Sequence, residues 1–209
     1  FAKVKTKLTD FQPVDIVKVP KNIKVSAQMC NPNRTVEVFN PVSIKKTGDK
    51  KYFVDMGKSF AGLIKLDLKA SAGTKVKVRY LEQYLGREDQ PYTDYGYYDE
   101  IITSDRHTDT FINQFDFRAC RYLEITGIDY KPKPFQITAM LTRNDYPDTS
   151  TFECSNQLLN EIYKTTKHTY ECLTMGGVIV DCPHRERLGY GGDGQSSMVT
   201  GMTNFDTAA

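Results

Sequence analysis

Apolar and polar residues alternate along much of the chain up to about residue 137. The alternation is clearest at residues 64–70 and 75–80, which flank a turn sequence at residues 71–73. Successive side chains of a β-strand point to opposite faces, so this pattern predicts a hairpin of two strands with one solvent-facing side. Further strands, separated by Gly, Pro, Asn and Asp clusters, are predicted at residues 51–55, 109–113 and 121–126. The lack of a helical period between them favours a β-sandwich or jelly roll.

After about residue 150 the hydrophobic period changes from two residues to about 3.6. One apolar stripe comprises Leu158, Leu159, Ile162, Thr166, Tyr170 and Leu173. This stripe predicts a helix of about fifteen to eighteen residues, with Ser155 or Asn156 as its N-cap. A second stripe comprises Met198, Val199, Met202 and Phe205. It predicts the start of another helix, for which Asp193 is the expected N-terminal cap.

Two proline-containing segments, residues 131–134 and 146–147, lie where the strand pattern gives way to the helical one. We therefore predict three parts: a lead-in from a preceding segment at residues 1–23, a β-sandwich domain at residues 24–145, and an incomplete helical domain at residues 146–209. The chain begins at Phe1 without a methionine and ends at Ala209, soon after a helical pattern starts. We expect it to be an internal piece of a longer polypeptide.

Composition and charge exclude several classes of protein. Lys and Arg total 28 and Asp and Glu 26, so the net charge of +2 gives no reason to expect a nucleic acid or a membrane as partner. No apolar run approaches the ~20 residues of a membrane span, and we expect no signal peptide in the sequence as given. Five widely spaced cysteines without a C-x-x-C pair argue against a disulfide framework. Cys182 and His184 are possible metal ligands, but no second pair accompanies them, so neither a metal site nor a cofactor is predicted.

A tyrosine-rich stretch at residues 90–105 is predicted to be a long exposed loop. Its tyrosines are Tyr92, Tyr95, Tyr97 and Tyr98. Rings in such a loop can stack on sugars, but packing of the loop against its own domain is the favoured interpretation.

Residues 181–193 concentrate three acids, two arginines, a proline and three glycines. Unpaired charges near apolar surface are costly, so this density of charge is typical of a site. Glycoside hydrolysis needs a proton donor and a second carboxylate, and Asp181, Glu186 and Asp193 supply candidates. Under the alternative, structural interpretation, Asp193 only caps a helix, Glu186 pairs with Arg185 or Arg187, and Asp181 caps a turn. The residue types alone favour neither interpretation.

The segment also resembles a known signature, that of the α-L-rhamnosidases of glycoside hydrolase family 78, at the mouth of their (α/α)6 barrel. The matching residues run Asp181-Cys182-Pro183-x-Arg185-Glu186-Arg187-Leu188-Gly189-aromatic-x-Gly192-Asp193. Upstream, the β-sandwich domain that precedes that barrel is similar to residues 53–57, 61–62, 72–76, 109–111 and 117–124. The resemblance covers about residues 24–205 and implies a β-sandwich followed by the first helices of an (α/α)6 barrel.

The resemblance implies an inverting hydrolase that releases terminal α-L-rhamnose from rhamnosides or rhamnose-containing polysaccharides. Glu186 would match the general acid. Asp181 and Asp193 would hold rhamnose hydroxyls, Arg185 would orient the sugar or the carboxylates, and Tyr190 would lie against the sugar ring. The implied partner is a carbohydrate substrate, with no nucleic acid and no membrane. The compartment stays open, with a periplasmic or secreted location favoured over a cytoplasmic one.

Three departures from the family pattern bear on this implication. Arg185 directly precedes Glu186, whereas many members have an extra acidic residue between them. His184 and Tyr190 stand where glutamine and tryptophan are common, so the sugar contacts are expected to differ. The family's catalytic base comes from a later part of the barrel, and no residue of this chain is nominated as that base. We expect the 209-residue piece alone to be inactive, and poorly soluble because its first helix would expose an apolar face.

Two other functions fit the same residues. One is a noncatalytic carbohydrate-binding protein on this scaffold, with stacking from the loop at residues 90–105 and hydroxyl contacts from residues 181–193. The other is a hydrolase of the same architecture that acts on a different sugar, which His184 and Tyr190 leave open. The aglycone, the linkage and the oligomeric state are not indicated by the sequence.

Overall fold

The computed structural model describes residues 12–85 and 94–207. Its main strands are β1 (Asn33–Phe39), β2 (Ser43–Gly48), β3 (Lys51–Leu68), β4 (Lys75–Leu81), β5 (Tyr98–Ile102), β6 (Asp109–Ile112), β7 (Arg118–Thr126) and β8 (Ile137–Asn144). Within the described residues they form one antiparallel sheet in the order β1-β8-β3-β7-β4-β5, and β2 and β6 pair with β3 beside that path. A 3-10 helix at Pro134–Gln136 precedes β8. The predicted strands at residues 51–55, 109–113 and 121–126 lie in β3, β6 and β7.

Strand β3 is the axis of the sheet. Its first half pairs with β2 and β7, and its second half pairs with β6 and β8. The register against β7 shifts between Asp55 and Phe60, and Gly57 within this stretch has a φ of 87°, which favours glycine. Such an irregularity bends a strand and increases its twist. The sheet is accordingly curled, and one long strand contributes to both of its halves.

Alternate residues of the central strands build the hydrophobic core. On β3, Val54, Met56, Ile64 and Leu66 are each at most 1% exposed. The lysines and acids between them are partly exposed, as the period of two requires. Cys172, from the helical part of the chain, packs into the same cluster. The two parts of the chain therefore share a boundary that is continuous with the core.

The predicted hairpin between residues 64–70 and 75–80 is wrong in its pairing. Both segments are strands, but β7 lies between β3 and β4. Alternation identifies the buried face of a strand and says nothing about which strand lies beside it. The turn that joins β3 to β4 is hydrogen-bonded to a third segment of the chain. Gly73 N donates to Thr103 O at 2.8 Å, and Thr103 N donates to Thr74 O at 3.0 Å.

The prediction of a loop at residues 90–105 is also wrong in part. Residues 98–102 form β5, which pairs with β4 from Arg79↔Tyr98 to Lys75↔Ile102. Tyr92 lies outside the described residues. The strand pattern also begins later than predicted, because residues 12–32 form neither helix nor strand.

The helical part contains α1 (Gln157–Leu173) and α2 (Gly191–Asn204), separated by the short strands β9 (Thr174–Met175) and β10 (Val178–Ile179). Asn156 is the N-cap of α1, since its Oδ1 accepts from Leu158 N at 3.0 Å and from Leu159 N at 3.4 Å. The predicted cap of α2 is wrong. That helix begins two residues before Asp193, with Tyr190 at the N-cap position, and Gly191 and Gly192 lie in its first turn.

Helix α1 packs on the sheet through its second half. His168 Nε2 lies 2.7 Å from the carbonyl oxygen of Ser59, and Glu171 pairs with Arg143 of β8 at 3.1 Å. The first half of α1 has an exposed apolar face that includes Leu158 and Ile162. No helix in the described part of the chain has the length and apolar character needed to cross a membrane.

Candidate active site

The loop between β10 and α2 folds back on itself. Asp181 N donates to Leu188 O at 2.9 Å, and Leu188 N donates to Asp181 Oδ1 at 3.0 Å. Within the loop, Arg185 N and Arg187 N both donate to Cys182 O, at 3.3 and 3.2 Å. These bonds bring residues 181 and 186 to the same side of a compact turn. Asp181 thus caps a turn, as the structural interpretation of the segment expected.

Asp181, Cys182 and Glu186 form the centre of the candidate site. One side-chain oxygen or sulfur of each lies within 4.8 Å of the others. Cys182 Sγ donates to Asp181 Oδ2 at 2.9 Å and accepts from Glu186 N at 3.4 Å. Arg185 Nη2 lies 3.1 Å from Glu186 Oε1. Four residues of one short loop therefore present two carboxyls, a thiol and a guanidinium together.

Neighbouring groups shift the pKa values of three residues at this site. The pKa of Asp181 is well below its usual value, chiefly because the Cys182 thiol donates to its carboxylate, with help from backbone N–H groups and from Glu186. The pKa of Arg185 is raised, first by its interaction with Cys182 and then by the charge of Glu186. The pKa of Tyr190 is raised by desolvation and by the carboxylates of Glu186 and Asp181. Tyr190 therefore belongs to the same electrostatic cluster.

Asp193 is the predicted site residue that the structure leaves apart. It lies in the first turn of α2, where a negative charge is favoured by the helix dipole. Among the described residues its carboxylate makes no hydrogen bond or ion pair, while its backbone oxygen accepts from the hydroxyls of Ser196 and Ser197 at 3.0 and 2.5 Å. Asp193 is therefore free to receive a donor from outside this part of the chain.

Glu186 and Arg185 form an exposed ion pair that adds little to the stability of the fold. Their side chains are 43% and 55% exposed. Exposed ion pairs contribute about 0–1 kcal/mol to stability. The structure therefore shows the Glu186–Arg185 pair that the structural interpretation expected, but this pair contributes little to stability.

The β domain supplies neighbours that the sequence did not indicate. Tyr97 Oη donates to Arg185 O at 2.8 Å, and Asp116 Oδ1 lies 2.6 Å from Arg187 Nη1. His184 does not join Cys182 as a ligand pair, because its Nδ1 faces Glu82 Oε1 at 3.2 Å. These residues lie some 70 to 100 positions before the loop. No short-range pattern could have linked them to it.

Two family models match the chain in succession. Residues 45–143 match the bacterial alpha-L-rhamnosidase concanavalin-like domain, and residues 147–209 match the bacterial alpha-L-rhamnosidase 6 hairpin glycosidase domain. The candidate site lies in the second of these. The predicted fold class, a β-sandwich followed by the first helices of a six-hairpin barrel, is confirmed.

Relatives and solved structures agree with these matches. An alpha-L-rhamnosidase of Formosa agariphila is 29% identical over 196 residues, which cover 90% of this chain and 20% of that protein. The alpha-L-rhamnosidase structure from Dictyoglumus thermophilum superposes with a TM-score of 0.80 at 25% identity, over 86% of this chain and 21% of that one. The Streptomyces avermitilis alpha-L-rhamnosidase, complexed with L-rhamnose, gives a TM-score of 0.81 at 24% identity, over 88% and 18%.

The chain thus spans about a fifth of the length of the relatives that it matches. The matches include both the β-sandwich and the start of the helical domain, in the same order as in the structure. The family that the signature at residues 181–193 resembles is the family that both models describe. This chain belongs to the α-L-rhamnosidases of glycoside hydrolase family 78.

Proposed function

We propose that the complete polypeptide containing this chain hydrolyses terminal α-L-rhamnosides, with residues 181–193 as one side of its active site. One observation carries the proposal: the side chains of Asp181, Cys182 and Glu186 converge within 4.8 Å inside the segment that matches the glycosidase domain. Relatives named alpha-L-rhamnosidase, one of them solved with L-rhamnose bound, support rhamnose as the sugar.

Glu186 is the proposed general acid, because the protonation state of the other nearby carboxyl, Asp181, does not suit that role. A general acid must carry a proton when substrate binds. Asp181 has a pKa well below its usual value and is therefore ionised at the pH of most assays. It can accept hydrogen bonds from sugar hydroxyls but has no proton to give. Glu186 is the other carboxyl of the cluster, so it is assigned the transfer of a proton to the glycosidic oxygen.

The remaining site residues are assigned to sugar binding. Asp181 and Asp193 accept hydrogen bonds from rhamnose hydroxyls, and Asp193 has a carboxylate without an internal partner in the described structure. Arg185 orients the sugar and the Glu186 carboxyl, 3.1 Å from its guanidinium. Tyr190 is half-exposed beside the two carboxyls and offers a ring face to the sugar.

The proposed stereochemistry is inversion. An inverting glycosidase needs a base across a water, with the two carboxyls about 6.5–9.5 Å apart. Asp181 is closer to Glu186 than that and is assigned to binding. The family resemblance implies a base from a later part of the barrel, so we assign the base to the part of the polypeptide that corresponds to the remaining length of the relatives.

The decisive experiment is the hydrolysis of an aryl α-L-rhamnoside by the complete polypeptide and by its Glu186→Gln variant. A general acid typically contributes about 10²–10⁴-fold to the rate, so a loss of that size in kcat is expected. Glu100→Gln, in the exposed Lys75–Glu100 pair of the β domain, is the matched control and is expected to retain activity. NMR of the first-formed sugar is expected to show the inverted anomer.

Each other outcome has a distinct meaning. Full activity in Glu186→Gln contradicts the assignment of the acid. Retained anomeric configuration contradicts the mechanism. Turnover of a different aryl glycoside, with none of rhamnosides, supports a hydrolase of another specificity. Binding of rhamnose without any turnover supports a noncatalytic carbohydrate-binding protein.

A further inference from the structure

We propose that Arg187 is a positioning residue: it anchors residues 181–190, the catalytic loop, to the β domain and thereby holds Glu186 where it can protonate the leaving group. The proposal rests on the role proposed above for Glu186. Arg187 itself is assigned no contact with substrate.

The Arg187 side chain leaves the catalytic loop and enters the β domain. It is 14% exposed, and its Nη1 lies 2.6 Å from Asp116 Oδ1. The centre of its guanidinium lies 4.3 Å from the ring of Tyr97 and 4.8 Å from the ring of Phe117. An arginine held by a carboxylate and by two aromatic faces has its position fixed in three directions.

The partner of Arg187 is itself firmly held. Asp116 also binds Arg118 Nη1, and Arg118 Nη2 lies 3.0 Å from Asp99 Oδ1. Asp99 Oδ2 in turn accepts from the hydroxyl of Tyr80, at 2.6 Å, and Tyr80 is 4% exposed. The ion pair of Arg187 is therefore the outer end of a chain of charged hydrogen bonds that begins in the β-domain core. Such a chain gives the loop a rigid support.

Both chain neighbours of Glu186 are held by the β domain. Tyr97 donates its hydroxyl to the carbonyl oxygen of Arg185 at 2.8 Å, and the same ring lies against Arg187. The backbone between them is constrained as well, because Glu186 N donates to Cys182 Sγ. The proposed acid therefore lies between two residues that the β domain holds in position.

The conformation of Arg187 is costly for the loop. Its φ of 61° is in the left-handed region, which arginine rarely adopts. Its Nε and Nη2 are buried and have no hydrogen-bond partner among the described residues. Strained backbone and incompletely paired buried groups persist where the surrounding structure enforces them, and they cluster at functional sites. A loop selected only for stability would avoid both features.

The test is the dependence of kcat on the leaving group in the complete polypeptide. A dinitrophenyl rhamnoside departs without a proton, whereas a phenyl rhamnoside needs the acid. If Arg187 positions Glu186, Arg187→Ala is expected to reduce kcat for the phenyl substrate on the order of tenfold more than for the dinitrophenyl substrate. Arg187→Lys keeps the charge for Asp116 but loses the planar stacking, so it is expected to recover part of that difference. Equal losses on both substrates overturn the proposal.

Two further variants keep the test independent of one substitution. Tyr97→Phe removes the hydroxyl bonded to Arg185 O and keeps the ring beside Arg187, so a smaller change of the same kind is expected. Arg121→Lys is the control matched to Arg187→Lys: Arg121 also pairs with an aspartate, Asp55, at 3.0 Å and lies over a tyrosine ring, but among the described residues no hydrogen bond or ion pair joins it to the catalytic loop. A selective loss on the phenyl substrate in Arg121→Lys contradicts the proposal.

Hydrogen exchange separates this proposal from the proposed function. Amides of residues 181–190 are expected to exchange faster in Arg187→Ala and Asp116→Asn than in the wild type, with exchange in the β-domain core unchanged. Unchanged exchange in both variants overturns the anchor even if the enzyme is a rhamnosidase. A wild type that hydrolyses no rhamnoside contradicts the proposed function, while the exchange result still decides whether Arg187 fixes the loop.

Discussion

The thiol of Cys182 donates a hydrogen bond of 2.9 Å to the Oδ2 of Asp181, its neighbour in the chain. The same sulfur accepts from the backbone N–H of Glu186 at 3.4 Å. Thiols are weak donors, but an ionised carboxylate strengthens any hydrogen bond that it accepts. Cys182 therefore connects the carboxylate of Asp181 to the backbone of Glu186 and is the chief cause of the lowered pKa of Asp181.

Replacing Cys182 by alanine is expected to raise the pKa of Asp181 toward its ordinary value of 3.8. The donor stabilises the ionised carboxylate, so its removal makes protonation easier. The measurement is a carboxyl ¹³C NMR titration of labelled aspartate. Cys182→Ser keeps a donor and is expected to shift the pKa less. Cys154→Ala is the control, since that thiol donates to the carbonyl oxygen of Asn156. An unchanged titration of Asp181 in Cys182→Ala contradicts the assignment.

Helices α1 and α2 touch where Gly201 meets Tyr170. A Cβ at position 201 would lie 2.1 Å from the hydroxyl oxygen of Tyr170 and 2.6 Å from its Cζ. Tyr170 cannot easily yield, because it is buried and its ring stacks on Phe205 with centroids 5.5 Å apart. Gly201→Ala is expected to destabilise this contact by about 1–3 kcal/mol, the usual cost of overpacking. The measurement is native-state hydrogen exchange of the two helices in the complete polypeptide.

Gly194→Ala provides the opposite result on the same helix. Apart from its chain neighbours and the backbone of α2, no atom of the described residues lies within 4 Å of the position that its Cβ would take. Alanine is favoured over glycine in a helix by about 1 kcal/mol, so this variant is expected to slow exchange in α2. If both substitutions change the rate of hydrogen exchange in the same direction, the close approach of Gly201 to Tyr170 does not limit the packing of the helices.

Two of the strands and the first helix were predicted correctly because their signals are local. Residues 64–68 and 76–80 alternate because one face of each strand is buried, and the N-cap Asn156 precedes an apolar stripe that forms α1. Strand neighbours were not predictable in the same way. Strand β7, which lies between β3 and β4, begins 37 positions after the end of β4, and alternation does not encode such a partner.

The same distinction between local and distant signals applies to the candidate site. Asp181, Arg185, Glu186 and Tyr190 are close in sequence, and a compact turn brings them together. The support from the β domain was missed, because Asp116 precedes Arg187 by 71 positions. Only the concentration of charge at residues 181–193 indicated that such support was needed, since buried or half-buried charges require partners from elsewhere.

Glu124 of β7 is a buried carboxylate between two cations. Its side chain is 10% exposed, with Lys51 Nζ at 2.8 Å and Arg79 Nη1 at 2.7 Å. Burial alone would raise the pKa of Glu124, but the hydrogen bonds and charges of Lys51 and Arg79 lower it below its ordinary value of 4.5. Glu124→Gln is expected to lower the free energy of unfolding near pH 7 by about 2–3 kcal/mol, the scale of charged hydrogen bonds.

The pH dependence of that loss follows from the sign of the pKa shift. A carboxylate whose pKa is lower in the folded state stabilises it above the unfolded pKa, and that contribution disappears as the pH falls through the folded pKa. The difference between wild type and Glu124→Gln is therefore expected to be largest near neutral pH and to shrink below pH 4.5. Hydrogen exchange of β4 and β7 across this range measures it. Glu100→Gln breaks the exposed pair with Lys75 and is expected to cost at most about 1 kcal/mol. A difference for Glu124→Gln that is the same at all pH values contradicts the ionised, doubly paired state of Glu124.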